Sequence, residues 1–347
     1  MGIKRMNKFL DSNNLIKKHN NINDFIKNNK KLEFQCFNTR NKCYRIAIDT
    51  MLYAHKFKYS YNDIVYGFAN QIINFLSNRI IPIYIIDGIA PEEKNNIIKF
   101  RFDKKNKIDD KIENLELEFD KETNLELKKQ IRKKINQLKK SNIRITKEDI
   151  DIIFKITEQF HVPCIRAKGE ADALIGKLYI NNSIDACLSE DMDLLIFGCK
   201  KMIKFQNKKI YEYDLDYILH KLRINFDQFL DMCLLFGCDY LKPIIKVNTQ
   251  NIYNDVYENN INELIKNNIK EEYYEKYIND FNETKIFFKK TLHLEYSKFI
   301  NFKLNTNINK NILEELSILS NEIERKKKEF FSDIFYINTL IKDNKFI

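Results

Sequence analysis

Glycine and proline are scarce in this chain, and its cysteines form no pattern typical of a disulfide or zinc site. The 347 residues include 7 glycines, 4 prolines and 7 cysteines. No two cysteines form a C-x-x-C pair and their number is odd, which argues against both a disulfide framework and a zinc ribbon. We therefore expect the protein to work in a reducing compartment.

Long apolar runs are also absent from the sequence. No run approaches the length needed to span a membrane, and residues 1–5 lack the apolar core of a secretory signal. We therefore expect an intracellular protein without a membrane partner. With 44% apolar residues the chain can bury a large core, in one large or two modest domains.

Basic residues outnumber acidic ones by 59 to 49, which gives a formal net charge of +10. A balance of this size favours a polyanionic partner, with nucleic acid first among the candidates. Solubility alone also explains such a balance, so the charge does not by itself identify the partner.

Apolar runs alternate with helical patterns along the first 240 residues. Residues 44–48 and 80–86 have the composition of strands, and Ile64, Phe68 and Ile72 recur between them at helical spacing. The pattern continues with strands at 162–165, 184–188 and 202–205 and a helix at 170–180. This alternation predicts an α/β fold in which helices cover both faces of a central, mostly parallel sheet.

Four acids directly follow predicted strands: Asp49, Asp87, Glu170 and Asp191. A single acid after a strand is usually a turn residue or a helix N-cap. The carboxyl ends of parallel strands, however, meet at one edge of a sheet, where ligands bind. We therefore expect these four acids to share one rim and to form a site there.

Two short acidic clusters lie at residues 168–173 and 189–198. Asp191 and Asp193 have apolar neighbours, so a site there would lie against the core, where uncompensated charge is costly. Hard divalent cations such as Mg²⁺ or Mn²⁺ suit carboxylate ligands, and no His or Cys cluster accompanies these acids. For either cluster alone, a helix N-terminus or an exposed turn is an equally simple explanation.

Residues 94–150 differ in character, with many charges and neither glycine nor proline, and their spacing predicts two or more long helices. Seven basic residues lie close together in this segment: Lys128, Lys129, Arg132, Lys133, Lys134, Lys139 and Lys140. A solvated face is the ordinary explanation for such a run, and contact with a phosphate backbone is the alternative.

Six motifs taken together resemble a known family. Residues 1–4, 46–49, 84–88, 170–173, 189–193 and 236–240 are similar, in this order, to motifs of the structure-specific 5′ nucleases. These are the flap endonucleases, the nuclear 5′ to 3′ mismatch-repair exonuclease and shorter relatives in large DNA viruses. The resemblance implies a PIN-like nuclease core at 1–240 with a helical arch at about 94–150. Residues 241–347 would form a mainly helical, duplex-binding extension, whose apolar segment 330–337 we expect to pack on the core.

The resemblance also implies hydrolysis of DNA phosphodiester bonds near 5′ ends or flaps with two Mg²⁺ ions, for which Mn²⁺ can substitute. Two such ions about 4 Å apart lower the pKa of a water and stabilise the departing 3′ oxygen. Lys94 and Arg101 match the family's basic catalytic residues and would act together with the acids at 191 and 193. The family's metal ligands are matched by Asp49, Asp87, Glu170, Asp172, Asp191, Asp193 and Asp239.

Several matched positions imply contact with DNA, and two of them depart from the family pattern. His55 stands where relatives carry a tyrosine that stacks on a base, so less area would stack. In relatives, a glycine-containing hairpin binds the DNA duplex together with a potassium ion, and the corresponding segment 246–248 lacks these glycines. We therefore expect this segment to bind the duplex more weakly or through other contacts. The expected DNA-binding residues are Gly2, His55, Lys128, Lys129, Arg132, Lys133, Lys242 and Lys246.

The expected partner is DNA with a 5′ flap, gap, nick or free 5′ end, bound by a monomer in replication, recombination or repair. A sliding clamp is not supported as a further partner, because residues 330–331 lack the upstream glutamine of a clamp-binding motif. The expected location is the nucleus for a cellular protein and host cytoplasmic replication sites for a viral one. A non-catalytic nucleic-acid-binding relative and a PIN-type ribonuclease are the alternatives, and a phosphatase is disfavoured by Leu195, where a polar residue is wanted.

Overall fold

A mixed β-sheet lies at the centre of the protein, whose structure is a computed structural model that describes residues 2–3, 5–29, 34–35, 42–61, 63–78, 80–244 and 247–293. The main sheet has the strand order β1-β8-β7-β6-β3-β4-β5, and β2 pairs with β3. The strands are β1 (Lys17–His19), β2 (Phe34–Gln35), β3 (Lys42–Asp49), β4 (Ile80–Ile86), β5 (Cys164–Arg166), β6 (Ala186–Leu188), β7 (Lys201–Gln206) and β8 (Lys209–Asp214).

The middle of this sheet is parallel. Strands β7, β6, β3, β4 and β5 run in the same direction, and Ile48 of β3 pairs with both Tyr84 of β4 and Leu188 of β6. All residues of β4 are buried, as expected for a strand covered on both faces. The predicted α/β fold with a mostly parallel sheet is therefore confirmed.

One end of the sheet is antiparallel and was not predicted. Strand β8 pairs antiparallel with β7, and β1 pairs antiparallel with β8. The connection between β7 and β8 uses Asn207 and Lys208, both with positive φ angles (52° and 61°). A tight hairpin favours this conformation, but an Asn-Lys pair lacks the glycine that signals such a turn in a sequence.

Helices cover both faces of the sheet. They are α1 (Met6–Ser12), α2 (Ile22–Asn28), α3 (Thr50–Tyr61), α4 (Ile64–Ser77), α5 (Asn95–Lys121), α6 (Leu125–Ser141), α7 (Lys147–Gln159), α8 (Ala171–Ile180), α9 (Asp193–Ile196), α10 (Leu215–Leu222), α11 (Phe226–Phe236), α12 (Thr249–Tyr257), α13 (Ile261–Asn268) and α14 (Glu271–His293). Along β3, Ala47 packs into one apolar cluster and Ile46 and Ile48 pack into another. This alternation places the two clusters on opposite faces. None of the described helices is both long and apolar enough to cross a membrane.

Some predicted boundaries were wrong. Two helices, α3 and α4, connect β3 to β4, whereas the sequence predicted one. Asp63 separates them by accepting a 2.8 Å hydrogen bond from the backbone N–H of Val65 as the N-cap of α4. Strands β5 and β6 each begin two residues later than predicted. Val162 and Ile184 are buried in the core but precede the paired residues of these strands, so apolar character alone gave the wrong start.

The predicted long helices of the insertion are α5 and α6, and they have a small core of their own. Ile112 of α5 is buried against Ile131 and Ile135 of α6. At the open end of this pair, Asn142 donates a 3.2 Å hydrogen bond to the carbonyl of Lys105. Within residues 247–293, helices α12 to α14 agree with the helical content predicted after residue 243. The segment at 330–337 lies outside the described residues.

A buried carboxylate joins the N-terminal segment to the sheet. Glu212 of β8 is 1% exposed and accepts hydrogen bonds from His19 (2.7 Å) and Asn29 (2.9 Å). Lys17 and Lys201 lie 3.5 and 3.6 Å from its second oxygen. Burial raises the pKa of Glu212, but these hydrogen bonds and charges outweigh it and lower the pKa to about 2.

We predict that Glu212→Gln lowers the free energy of unfolding by about 3 kcal/mol at neutral pH, because it removes one partner of a buried ion pair. Urea unfolding measures this change. The difference from wild type should shrink as the pH falls toward 2, where Glu212 itself becomes protonated. Glu275→Gln, at an exposed position of α14, is the control, and equal effects of the two substitutions would contradict the prediction.

Candidate functional site

The acids predicted to share a rim lie at the carboxyl ends of neighbouring strands. Asp49 is the last residue of β3, and Asp87 directly follows β4. Glu170 precedes α8, in the connection after β5, and Asp191 follows β6. Because β6, β3, β4 and β5 are adjacent and parallel, the structure brings all four positions to the same edge of the sheet.

A chain of hydrogen bonds organises the acids after β3 and β6. The Ser189 hydroxyl donates to Asp49 Oδ2 (2.9 Å) and accepts from the backbone N–H of Asp191 (3.0 Å). The N–H of Asp193 in turn donates to Asp191 Oδ1 at 3.0 Å. The sequence reasoning gave no role to Ser189, which the structure shows to be fully buried between β6 and the acid pair.

A second set of contacts connects β4 to the start of α8. The backbone N–H of Ala171 donates to Asp87 Oδ1 at 2.8 Å, where the positive end of the helix dipole favours a carboxylate. The N–H of Gly88 donates to the carbonyl of Gly169, also at 2.8 Å. These bonds hold the first turn of α8, which carries Asp172, beside Asp87.

Two cations from the start of the insertion reach the acids. Lys94, in a 3₁₀ turn just before α5, pairs with Glu170, and its Nζ lies 5.0 Å from the ring centroid of Tyr240. The Tyr240 hydroxyl donates to the other oxygen of Glu170. Arg101 pairs with Asp239 at 2.6 Å. The structure therefore brings both predicted basic residues to the acid rim and adds Tyr240, which sequence reasoning missed.

Burial and mutual repulsion shift the pKa values of these groups. Burial is the main cause that raises the pKa of Asp49 to about 7, with Asp87 adding to it and Ser189 opposing it. Burial, followed by Asp191, raises the pKa of both Asp172 and Asp193 well above the usual range. Several carboxyl groups therefore cannot ionise together unless cations compensate them.

Lys94 stays charged in this environment. Burial alone would lower its pKa, but the nearby carboxylates, with Glu170 first among them, outweigh burial and raise the pKa. The side chain therefore contributes a permanent positive charge at the rim.

The residues present fit hard divalent cations better than any other group. All candidate ligands are carboxylate oxygens, and Asp193 Oδ1 is buried without a hydrogen-bond partner in the structure. Among the described residues, no three His, Cys, Asp or Glu side chains stand in a ready-made metal cluster. Glu170 and Asp239 instead face Lys94 and Arg101. Cation binding thus requires these acids to exchange partners.

The N-terminus and α3 contribute two further predicted residues. Gly2 is buried with φ 72°, and a Cβ atom there would overlap the carboxylate of Asp191, so the glycine allows the chain to pass this close. His55 is half-buried in α3, and burial, helped by Lys105 and Lys58, lowers its pKa. Its imidazole is therefore neutral at physiological pH.

The predicted basic DNA contacts lie farther along the insertion and after α11. Lys128 and Arg132 lie 5.0 and 5.7 Å from the ring centroid of Phe119, and Lys129 pairs with Glu126. Lys133 and Lys242 are exposed, and Lys246 lies outside the described residues. The role of these lysines and Arg132 in DNA binding stays a prediction.

We predict that Asp193→Asn raises the free energy of unfolding by about 1 kcal/mol or more in the absence of divalent cations. Asn keeps the volume of the side chain but removes a buried charge that lacks compensation, as substitutions at strained functional sites commonly do. Urea unfolding with a chelator at neutral pH measures the change. Asp110→Asn, at an exposed position of α5, should leave stability unchanged, and a loss of stability in Asp193→Asn would refute this account.

Comparison with known proteins gives matches in sequence and in fold. The family model of the XPG I-region matches residues 161–239, a stretch that contains five of the acids matched above: Glu170, Asp172, Asp191, Asp193 and Asp239. Flap endonuclease 1 of Theileria parva is 29% identical over 271 residues, which cover 77% of this chain and 51% of that protein. The chain spans about half the length of the curated relatives it matches.

Solved structures with the same fold cover almost the whole chain. Flap endonuclease-1 from Methanococcus jannaschii superposes with a TM-score of 0.63 at 17% identity, covering 97% of this chain and 99% of that one. The catalytic core of Rad2 in complex with DNA substrate gives 0.62 at 15% identity, covering 95% and 98%. At these identities the likeness establishes the fold.

Proposed function

We propose that the chain is a member of the superfamily of structure-specific 5′ nucleases, a metal-dependent nuclease that hydrolyses DNA phosphodiester bonds near 5′ ends or flaps; its sequence matches and its fold support this. One observation carries the proposal. Buried carboxylates from four neighbouring strand ends converge at one rim with Lys94 and Arg101. A protein that only binds nucleic acid gains nothing from such a cluster, because the negative charges of the carboxylates repel a polyanion.

Two Mg²⁺ ions, or Mn²⁺ in their place, are the proposed cofactors. Their ligands would come from Asp49, Asp87, Glu170, Asp172, Asp191, Asp193 and Asp239. Such ions supply Lewis acidity toward the phosphate and toward an attacking water. Seven carboxylates exceed what two ions need, so some of them would act through bridging waters.

The protein's own groups would position and stabilise the reacting phosphate. Ser189 and the N–H of Asp193 fix the orientation of two carboxylates, which is how outer contacts tune metal ligands. With cations bound at the rim, Lys94 and Arg101 would be free to leave Glu170 and Asp239. Both would then donate to phosphate oxygens and stabilise the charge that develops there.

The proposed substrate is DNA with a 5′ flap, gap, nick or free 5′ end, processed by a monomer in replication, recombination or repair. Residues 1–240 would form the catalytic part, with the insertion at 94–150 passing the 5′ strand and its basic face contacting phosphates. Residues 241–347 would hold the duplex. The net charge of +10 supports a polyanionic partner.

The direct test is incubation with Mg²⁺ and 5′-labelled DNA in the form of a flap, gap, nick or blunt end, with matched RNA flaps as a further arm. We expect short products from the 5′ end and none when a chelator is present. A circular single strand should stay intact because it has no 5′ end. Cleavage of the circle, or of RNA alone, would contradict the proposal.

We predict that Asp191→Asn combined with Asp193→Asn abolishes cleavage while the affinity for flap DNA stays close to that of wild type. The two carboxylates hold cations rather than DNA, so their loss removes the chemistry and not the binding. Single-turnover cleavage and fluorescence anisotropy measure the two effects. Retained cleavage would reject the metal assignment at these positions.

We predict that Lys94→Ala slows single-turnover cleavage by about 100-fold or more, as expected for loss of one stabilising charge at the transition state. DNA affinity should change little. Lys99→Ala, at an exposed position of α5, is the matched control and should cleave at the wild-type rate. An unchanged rate for Lys94→Ala would remove this residue from the mechanism.

A further inference from the structure

Arg5 adopts an unusual backbone conformation just before α1. Its φ angle is 65°, in the left-handed region that non-glycine residues rarely occupy. Such conformations persist when the surrounding structure over-determines them, and they cluster at functional sites. Arg5 also lies three residues after Gly2, which packs on Asp191.

The side chain of Arg5 has three backbone acceptors from a distant part of the chain. Its guanidinium donates to the carbonyls of Val247 (2.8 Å), Ile244 (2.9 Å) and Leu235 (3.4 Å). The guanidinium carbon also lies 5.7 Å from the ring centroid of Phe236. The planar fork of arginine suits such multiple contacts, which a lysine cannot reproduce.

One of these acceptors, Leu235, precedes a compact turn at residues 237–244, which we call the site turn, and another, Ile244, is the last residue of this turn. The N–H of Ile244 donates to the carbonyl of Leu235 at 3.2 Å and closes the turn. Gly237 begins it with φ 90°, where a Cβ would clash with Pro243. Arg5 therefore donates to the carbonyls of both residues that this hydrogen bond joins, Leu235 and Ile244.

The site turn delivers two residues to the acid rim. Asp239 pairs with Arg101, and the Tyr240 hydroxyl donates to Glu170 while its ring lies below Lys94. On the other side of the turn, the Tyr277 hydroxyl of α14 donates to the carbonyl of Lys242 at 2.9 Å. The turn is therefore held from two directions, by α14 and by Arg5.

We propose that Arg5 is a positioning residue, which fixes the site turn to the N-terminal segment and so places Asp239 and Tyr240 against the acid rim. For its effect on catalysis the proposal rests on the nuclease function proposed above. The same short segment touches Asp191 through Gly2 and the site turn through Arg5. It therefore sets the relative position of acids that are far apart in the sequence.

The test compares Arg5→Met and Arg5→Lys with Arg223→Met. Arg223 is a matched control because it also has a left-handed backbone (φ 53°), at the exposed C-cap of α10. Methionine keeps much of the length of arginine without its donors. Lysine keeps the charge but not the fork, and serves as a milder variant if Arg5→Met folds poorly.

The first readout is amide hydrogen exchange in the protein without metal or DNA. In Arg5→Met we expect faster exchange at the amide of Ile244, with unchanged protection in β3 and β4. A global loss of protection, or none at Ile244, would overturn the proposal. This arm does not depend on nuclease activity.

The second readout is Mn²⁺ affinity by calorimetry, followed by single-turnover cleavage of flap DNA. We expect Arg5→Met to lower both by about 10-fold or more, the usual cost of losing an outer contact to a metal site. Arg5→Lys should recover part of the loss, and Arg223→Met should match wild type. Equal values for Arg5→Met and Arg223→Met would overturn the proposal. If wild type cleaves no substrate, the nuclease function fails, and the exchange and Mn²⁺ measurements still decide the role of Arg5.

Discussion

Carboxylates buried side by side repel one another and lose hydration, and this cost governs the structure around the sheet edge. Burial and mutual repulsion raise the pKa values of Asp49, Asp172 and Asp193. The protein offsets part of the cost with Lys94 and Arg101, which bind acids on the same rim. The remaining imbalance favours cation binding and is the physical basis of the proposed metal site. A site of this kind costs stability, as functional sites commonly do.

No local stretch of the chain forms this site. Its acids come from the ends of four strands and from the turn after α11, and the N-terminal segment packs against both groups. The order of segments along the chain therefore differs from their order in space. Across small proteins, folds rich in contacts of this kind fold more slowly than folds built from local contacts. The rim is completed only when the sheet and the helices after residue 225 have come together.

The sequence predicted those features that follow from strong local patterns. Mainly apolar runs marked β3 and β4, and the acids after them pointed to a shared rim because parallel strands end at one edge. Strands β1 and β8 were not predicted, because β1 has only three residues and the turn between β7 and β8 has no glycine. The roles of Lys94, Arg101, Gly2 and Asp239 came from family resemblance, because nothing in their local pattern sets them apart.

Other residues of the site could not be predicted from any pattern. Ser189, Tyr240 and Arg5 act through hydrogen bonds to groups far away in the sequence. Such partners are fixed by tertiary packing, and a single sequence carries no signal for them. Arg5 was further hidden because a left-handed backbone is normally expected at glycine. Physical reasoning from one sequence therefore identified acids that share the rim, but it did not identify the residues that hold them in place.

The α5–α6 pair has a small hydrophobic core of its own, formed by Ile112, Ile131 and Ile135. This core is separate from the two apolar clusters on the faces of the sheet. A unit of this kind is modular. The length and surface charge of this pair can therefore change without altering the acid rim. The same property makes this helical hairpin a suitable place for grafting other segments in protein engineering.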